Sequence, residues 1–157
     1  MTFNDAAVNE IFSNIVSYAL ETGRFDLVNQ HEPTNAPGKG IQFSLWIQNV
    51  RPVGAASGTG AVSGVVLFNG RVYSSFRQQP KDSIDPGITS AVADLMNSLT
   101  SDFDWGGDVS VRAVDLLGMY GTSLNAEAGY IEIDRQVFRT MTLNIPVIIN
   151  DLFVMGV

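Results

Sequence analysis

A chain of 157 residues with nine Lys+Arg against 16 Asp+Glu, a formal charge of −7, no cysteine and one histidine leaves little room for several chemistries. Disulfides, thiolate catalysis and multi-histidine metal sites are excluded, any zinc site would need oxygen and nitrogen ligands, and the few scattered cations do not form the basic face that tight nucleic-acid binding requires. The length suits one domain able to fold without staples, while 16% charged residues against an ordinary ~25% suggests that part of the surface meets protein instead of water.

The N-terminus, Met1-Thr2-Phe3-Asn4-Asp5, is acidic and amphipathic and does not read as a secretory leader. No run approaches the ~20 apolar residues of a membrane helix. Residues 5–22 predict a helix, because Val8, Ile11, Phe12, Ile15, Val16 and Ala19 recur at helical spacing while Asn9, Glu10, Ser13, Asn14, Ser17 and Glu21 fill the other face. Thr2 with Asp5 suggests a capping-box-like start, and Gly23 is placed to end the helix. Residues 24–40 hold Pro33, Pro37, Gly38 and Gly40 and read as a loop, with a short strand at Phe25–Val28 as an option.

From Ile41 the period changes to two. Ile41, Phe43, Leu45 and Ile47 alternate with Gln42, Ser44, Trp46 and Gln48, the pattern of a half-buried strand. Trp46 falls on the otherwise polar side, where it either meets another subunit or lies under a loop. Residues 53–64 are small and read as a mobile tip, and Val65, Val66, Leu67, Phe68, Val72 and Tyr73 form the returning strand of a long antiparallel hairpin. Asp85-Pro86 then marks a helix start, with Ile88, Ala91, Val92, Leu95, Met96 and Leu99 as its apolar stripe to about Ser101. The remainder predicts strands at Val109–Leu117, Tyr130–Asp134 and Val137–Leu143, the last two joined by a turn at Asp134-Arg135-Gln136. Pro146 has no amide donor, so Val147–Asn150 is read as an edge, a bulge or a strand after a break. The order α-β-β-α-β-β-β predicts an α+β fold, a mostly antiparallel sheet with two amphipathic helices packed on one face.

Catalytic motifs do not emerge. Gly58-Thr59-Gly60-Ala61-Val62-Ser63-Gly64 precedes a strand, whereas a dinucleotide loop opens a helix. No Gly-x-Ser-x-Gly elbow occurs. His31 beside Glu32 in a Pro/Gly loop suits loop hydrogen bonding better than general-base work. Asp102, Asp104 and Asp108 lack the completing residues of a calcium loop and read as a solvated turn, in which Phe103 and Trp105 stand out as an exposed aromatic contact. Arg71, Arg77, Arg112, Arg135 and Arg139 lie on or beside strands, where they either pair with carboxylates across subunits or remain as solvated edges.

Several ordered elements carry a resemblance: Ile11-Phe12-Ser13 with Gly23-x-Phe25, Val28-Asn29-x-His31-Glu32-Pro33, and Ile84-Asp85-Pro86. Further on come Asp115-Leu116-Leu117-Gly118-x-x-Gly121 leading to Ala128-Gly129-Tyr130, then Arg139-x-Met141, Pro146 and Asn150-Asp151. In these the chain resembles the tail terminator (tail completion) proteins of long-tailed actinobacterial phages. The resemblance implies a virion protein that assembles as a hexameric ring on the last ring of the tail tube, stops tube polymerisation and presents the head-joining surface. It implies as partners further copies of the chain, the tube protein and a head completion or connector protein. DNA passes through the ring without sequence-specific binding, and no catalytic role, cofactor, metal or membrane is expected. Candidate interface residues are Trp46, Ser57, Thr59, Val62, Phe103, Trp105, Arg139 and Pro146. The alternatives are another ring component of the same machine (tube subunit or head-tail connector), a small-molecule or peptide-binding module, and a small hydrolase.

Overall fold

The computed structural model describes residues 2–33, 40–53, 60–75, 77, 84, 86–101 and 111–154. In chain order the elements are β1 (Thr2–Phe3), α1 (Asp5–Glu21), β2 (Leu27–Asn29), β3 (Ile41–Pro52) and β4 (Ala61–Ser75), then α2 (Gly87–Ser101), β5 (Val111–Val114), β6 (Asn125–Ile133) and β7 (Gln136–Val154). The seven strands form one sheet. Its main path is β2-β3-β4-β7-β1, and β5 and β6 also pair with β7. All pairings are antiparallel except β2 with β3.

Helix α1 buries Ala7, Val8, Ile11, Ile15, Val16 and Ala19, and α2 buries Ile88, Ala91, Val92, Leu95 and Leu99. Most of these join one hydrophobic cluster with alternate strand residues: Phe43 and Leu45 from β3, Val66, Phe68 and Val72 from β4, and Leu143, Ile145 and Val147 from β7. Full burial of one such side chain is worth roughly 1.5–3 kcal/mol, whereas a helix cap contributes about 1 kcal/mol. Packing therefore holds the helices, and capping only sets where they begin.

The cap itself differs from the expected one. Asn4 is the N-cap, its side chain accepting from Ala7 N at 3.2 Å. Thr2 is drawn instead into β1, opposite Val154 of β7. At the other end Gly23 takes a positive φ of 67° and donates to Leu20 O, as its placement predicted.

Strand β2 starts later than the Phe25–Val28 option, and Phe25 instead stacks on Phe43 at 5.2 Å. In β3, Phe43 and Leu45 are buried as the alternation predicts. Gln42 and Ser44 are buried too, while Ile47 is exposed just before a bulge between Ile47 and Asn49. The strand then continues to Pro52, and β4 takes in Ala61–Gly64, so the small-residue stretch is strand at its C-terminal end, where Ser63 O accepts from Val53 N at 2.9 Å. The expected mobile tip, with Ser57 and Thr59, lies outside the described residues, as does Asp85 before α2.

The last third departs most from expectation. Strand β5 covers only Val111–Val114 of the expected Val109–Leu117, with residues 109–110 outside the described set and Leu116 and Leu117 in a turn. Strand β6 begins at Asn125, five residues before Tyr130. The β6–β7 hairpin closes through Asp134 and Arg135, both at positive φ (51° and 64°), between the paired Ile133 and Gln136. This is the tight two-residue turn that suits the strand twist. Val137–Leu143 and Val147–Asn150 are one continuous strand, and Pro146 is neither at an edge nor after a break. Its carbonyl accepts from Asp115 N at 2.9 Å, so its donor-less nitrogen points away from β4. It faces the gap where the partner of β7 changes from β6 to β5, so no ladder bond is lost.

Gly70 illustrates how tightly the apolar side is filled. A Cβ there would lie 2.6 Å from Phe43 Cε2 and 2.7 Å from Cζ, and Phe25 backs that ring. Gly70→Ala is expected to lose about 1–3 kcal/mol of stability through overpacking, read as a lower urea midpoint at unchanged slope.

Candidate functional site

The sheet side opposite the helix cluster carries polar rows that cross the strands in register. One row is Trp46–Asn69–Asn144–Asn125 on β3, β4, β7 and β6, and the next is Ser44–Arg71–Thr142–Glu127. The rows arise because side chains of one parity share a face, so polar residues at every second position of four strands are brought side by side. Asn144 Nδ2 donates to Asn125 Oδ1 at 3.1 Å, and Asn29 Nδ2 donates to Ser44 Oγ at 3.4 Å.

Arg71 is the centre of this belt. Its Nε donates to Thr142 Oγ1 at 3.0 Å, and its guanidinium lies 5.5 Å from the centre of the Trp46 ring. It is half-buried and makes no ion pair among the described residues, unlike Arg24, which pairs with Asp94. Beside it opens a concavity of about 370 Å³ rimmed by Glu127, Tyr130 and Thr140. Next to the belt, Tyr73 is buried, which pushes its phenol above the ordinary value, while the charge and hydrogen bond of Arg71 oppose the rise and Glu32 adds to it.

A second concavity of about 290 Å³ lies at the far end of the same face, between Arg51, Asn49, Leu67, Pro146 and Thr122. Arg51 sits opposite Val65 and is also half-buried without an ion pair among the described residues. Its guanidinium rests against Gly121, where a Cβ would meet Nη2 and, at 2.9 Å, Nη1. Gly121 has a φ of 130°, so the backbone there favours glycine, whereas the Arg51 guanidinium is the end of a flexible side chain that can shift aside.

Gly121 belongs to the loop between β5 and β6, which is built around a buried acid. Asp115 is 4% exposed, and its carboxylate accepts from Met119 N at 2.8 Å and Tyr120 N at 3.0 Å. Its backbone bonds to Pro146 O and Leu124 N close the loop at both ends. Gly118, at φ 73°, makes the reversal, and Gly121 N donates to Gly118 O at 3.1 Å. On this frame Leu116, Leu117 and Met119 are turned outward, Leu117 89% and Met119 79% exposed.

Of the residues singled out by the sequence, Trp46 lies in the polar belt and Pro146 is buried in the wall of the far concavity. Arg139 is at the hairpin end, its guanidinium 4.6 Å from the centre of the exposed Tyr130 ring and Nη1 donating to Gly129 O at 3.4 Å. Val62 is half-buried in β4 opposite Phe153. The structure thus brings Trp46 and Pro146 to one face and sets Arg139 and Val62 apart from them. Ser57, Thr59, Phe103 and Trp105 lie outside the described residues, as do Asp102, Asp104 and Asp108. His31 and Glu32 are exposed, and no group of His, Asp and Glu able to hold a metal ion forms among the described residues.

Sequence reasoning missed Arg51, Asp115, Leu117 and Met119. Leu117 was hidden by reading Val109–Leu117 as a strand, although Gly118 and Gly121 already signal a turn. No family model matches the chain, and no curated protein matches it.

Two outcomes test this description. Asp115→Ala removes the acceptor of two part-buried amides and is expected to cost about 1 kcal/mol, with amide-exchange protection lost at Met119 and Tyr120. For Tyr73 the unfolded chain releases its proton first, near the ordinary 10.0, so stability is full below that pH and falls as pH climbs toward the raised folded value. Thermal melts from about pH 8 to about pH 11 should show this decline, and Tyr73→Phe should lessen it.

Proposed function

We propose that this chain is a structural ring subunit of a long-tailed phage, the terminator that caps the tail tube, ends its polymerisation and offers the head a surface to join. The observation that carries the reading is the loop after Asp115. The run Asp115-Leu116-Leu117-Gly118-x-x-Gly121, part of the resemblance to terminator proteins, is a rigidly braced loop that holds Leu117 and Met119 out in solvent. Apolar side chains held outward on a fixed frame gain free energy only when a partner covers them. Preorganisation of the frame reduces the entropy lost on docking. A subunit that must recognise a tube ring on one side and a head component on the other has use for such a knob.

In this reading the two helices back one face of the sheet and the β3–β4 hairpin is a long arm. The chain works by fitting its own copies and its neighbours together, with no bond made or broken in a substrate. A closed cyclic ring needs two different complementary patches on each subunit. Six copies would carry a formal charge of −42 (6 × −7), which suits a passage through which DNA slides without sticking.

Native mass spectrometry and negative-stain electron microscopy of the purified chain, with and without magnesium, test the proposal. Discrete closed rings of one copy number are expected. Long tubes would assign the chain to the tube itself, and a protein that stays monomeric at high concentration with tail tubes present would overturn the reading. Leu117→Ser/Met119→Ser is expected to leave the fold unchanged by circular dichroism while abolishing capture by tubes or head particles.

A further inference from the structure

The two unpaired arginines raise a question that the ring reading leaves open: what one subunit offers the next. Arg51 and Arg71 are half-buried on the same face of the sheet, each beside a concavity. On β4 their positions correspond to Val65 and Arg71, six residues apart, so they stand roughly 20 Å from one another along the strand direction. A guanidinium partly withdrawn from water with most of its donors unused gains from a carboxylate, which it grips in a two-point fork. Glu127 lies at the rim of the Arg71 concavity, exposed and outside ion-pair distance. Arg51 and Arg71 thus stand on this face without an ion pair among the described residues, while Glu127 and, beside Tyr73, Glu32 add negative charge around the Arg71 end.

The complementary surface is on the opposite side of the same molecule. Neither helix contains a Lys or Arg. The outward line of α1 carries Glu10, Ser13, Ser17 and Glu21, all exposed. Glu10 and Glu21 are 11 residues apart, close to three full helical turns, so they point the same way about 16 Å apart. The nearby Arg24 is already engaged by Asp94. Two glutamates about 16 Å apart on a ridge and two arginines roughly 20 Å apart on a face are within the reach of these long side chains. The uncharged Ser13, Asn14 and Ser17 lie between the glutamates to pass over Trp46 and Leu67.

We propose that the face bearing Arg51 and Arg71 is the docking surface for α1 of a second copy of this chain, with Glu10 and Glu21 of one subunit meeting the two arginines of the next. The inference rests on the ring reading. It makes the contact heterologous, helix side to open sheet side, which is the kind of contact that closes into a ring. The loop carrying Leu117 and Met119 stays available for a different neighbour.

The test uses two charge-reversed full-length chains, Arg51→Glu/Arg71→Glu and Glu10→Arg/Glu21→Arg, each checked for fold by circular dichroism and then weighed by native mass spectrometry. Each alone is expected to need about tenfold or more protein for half-assembly, because like charges then face each other at every contact. An equimolar mixture is expected to restore closed rings of even copy number in which the two chains alternate. Arg51→Gln/Arg71→Gln replaces the first variant if reversal unfolds the chain, and it should weaken assembly in the same direction. Wild-type rings together with variants that assemble equally well, or a mixture that fails to reassemble, would overturn this contact while leaving the ring reading intact. A wild-type chain that never closes into rings would overturn both.

Discussion

The fold depends on one strand whose two edges are used unequally. β7 runs 19 residues, from Gln136 to Val154, and pairs with β4 along nearly its whole length. Its other edge is divided among β6, β5 and β1 in turn. Two residues mark the divisions. Pro146 has no amide to offer where β6 ends and β5 begins, so the change of partner leaves no donor orphaned. Asp151, at a φ of 52°, sits in an irregularity between Ile149 and Phe153, beside the buried Leu152. Gly64 of β4 makes room there, since a Cβ would collide with the Leu152 side chain.

With β7 fixed, the two sides of the sheet acquire opposite characters. One side is closed by aliphatic side chains from both helices, and burial there supplies most of the stabilisation. The other is polar in register, because Asn69, Asn144 and Asn125, then Arg71, Thr142 and Glu127, fall at the same height on neighbouring strands. A half-buried arginine is tolerated there because Trp46 and Thr142 replace part of its hydration. The outer line of α1 carries Glu10 and Glu21, while the open sheet face carries Arg51 and Arg71 together with Glu127.

The loop after Asp115 is a separate device. A buried carboxylate is costly unless hydrogen-bonded, and Asp115 is bonded to two consecutive backbone amides. Those bonds spend polar groups on the inside of the loop and leave its apolar side chains outside, the reverse of ordinary partitioning. Because the frame is anchored through Pro146 to β7, the position of the exposed Leu117 is set by the sheet.

By itself the sequence determined the elements whose signals are local. Period 3.6 in Val8, Ile11, Ile15 and Ala19 located α1, the stripe Ile88–Leu99 located α2, and period two in Phe43 and Leu45 located β3. Gly23 was readable because a positive φ favours glycine, and the reversal at Asp134-Arg135-Gln136 was readable between two strand-like runs, although Gln136 proves to be in the ladder. Of the candidate site, Trp46, Arg71 and Arg139 were legible as residue types out of place on strands, but not as neighbours or strangers. Only the tertiary structure decided that Thr2 joins a strand and leaves the cap to Asn4, that Leu116 and Leu117 leave the ladder, and that Pro146 is interior. It alone set Arg51 against Gly121 and Arg71 beside Thr142. The physical reason is that strand pairing joins residues as distant as Thr2 and Val154, and the spacing of side chains along a segment carries no information about which edge that segment will meet.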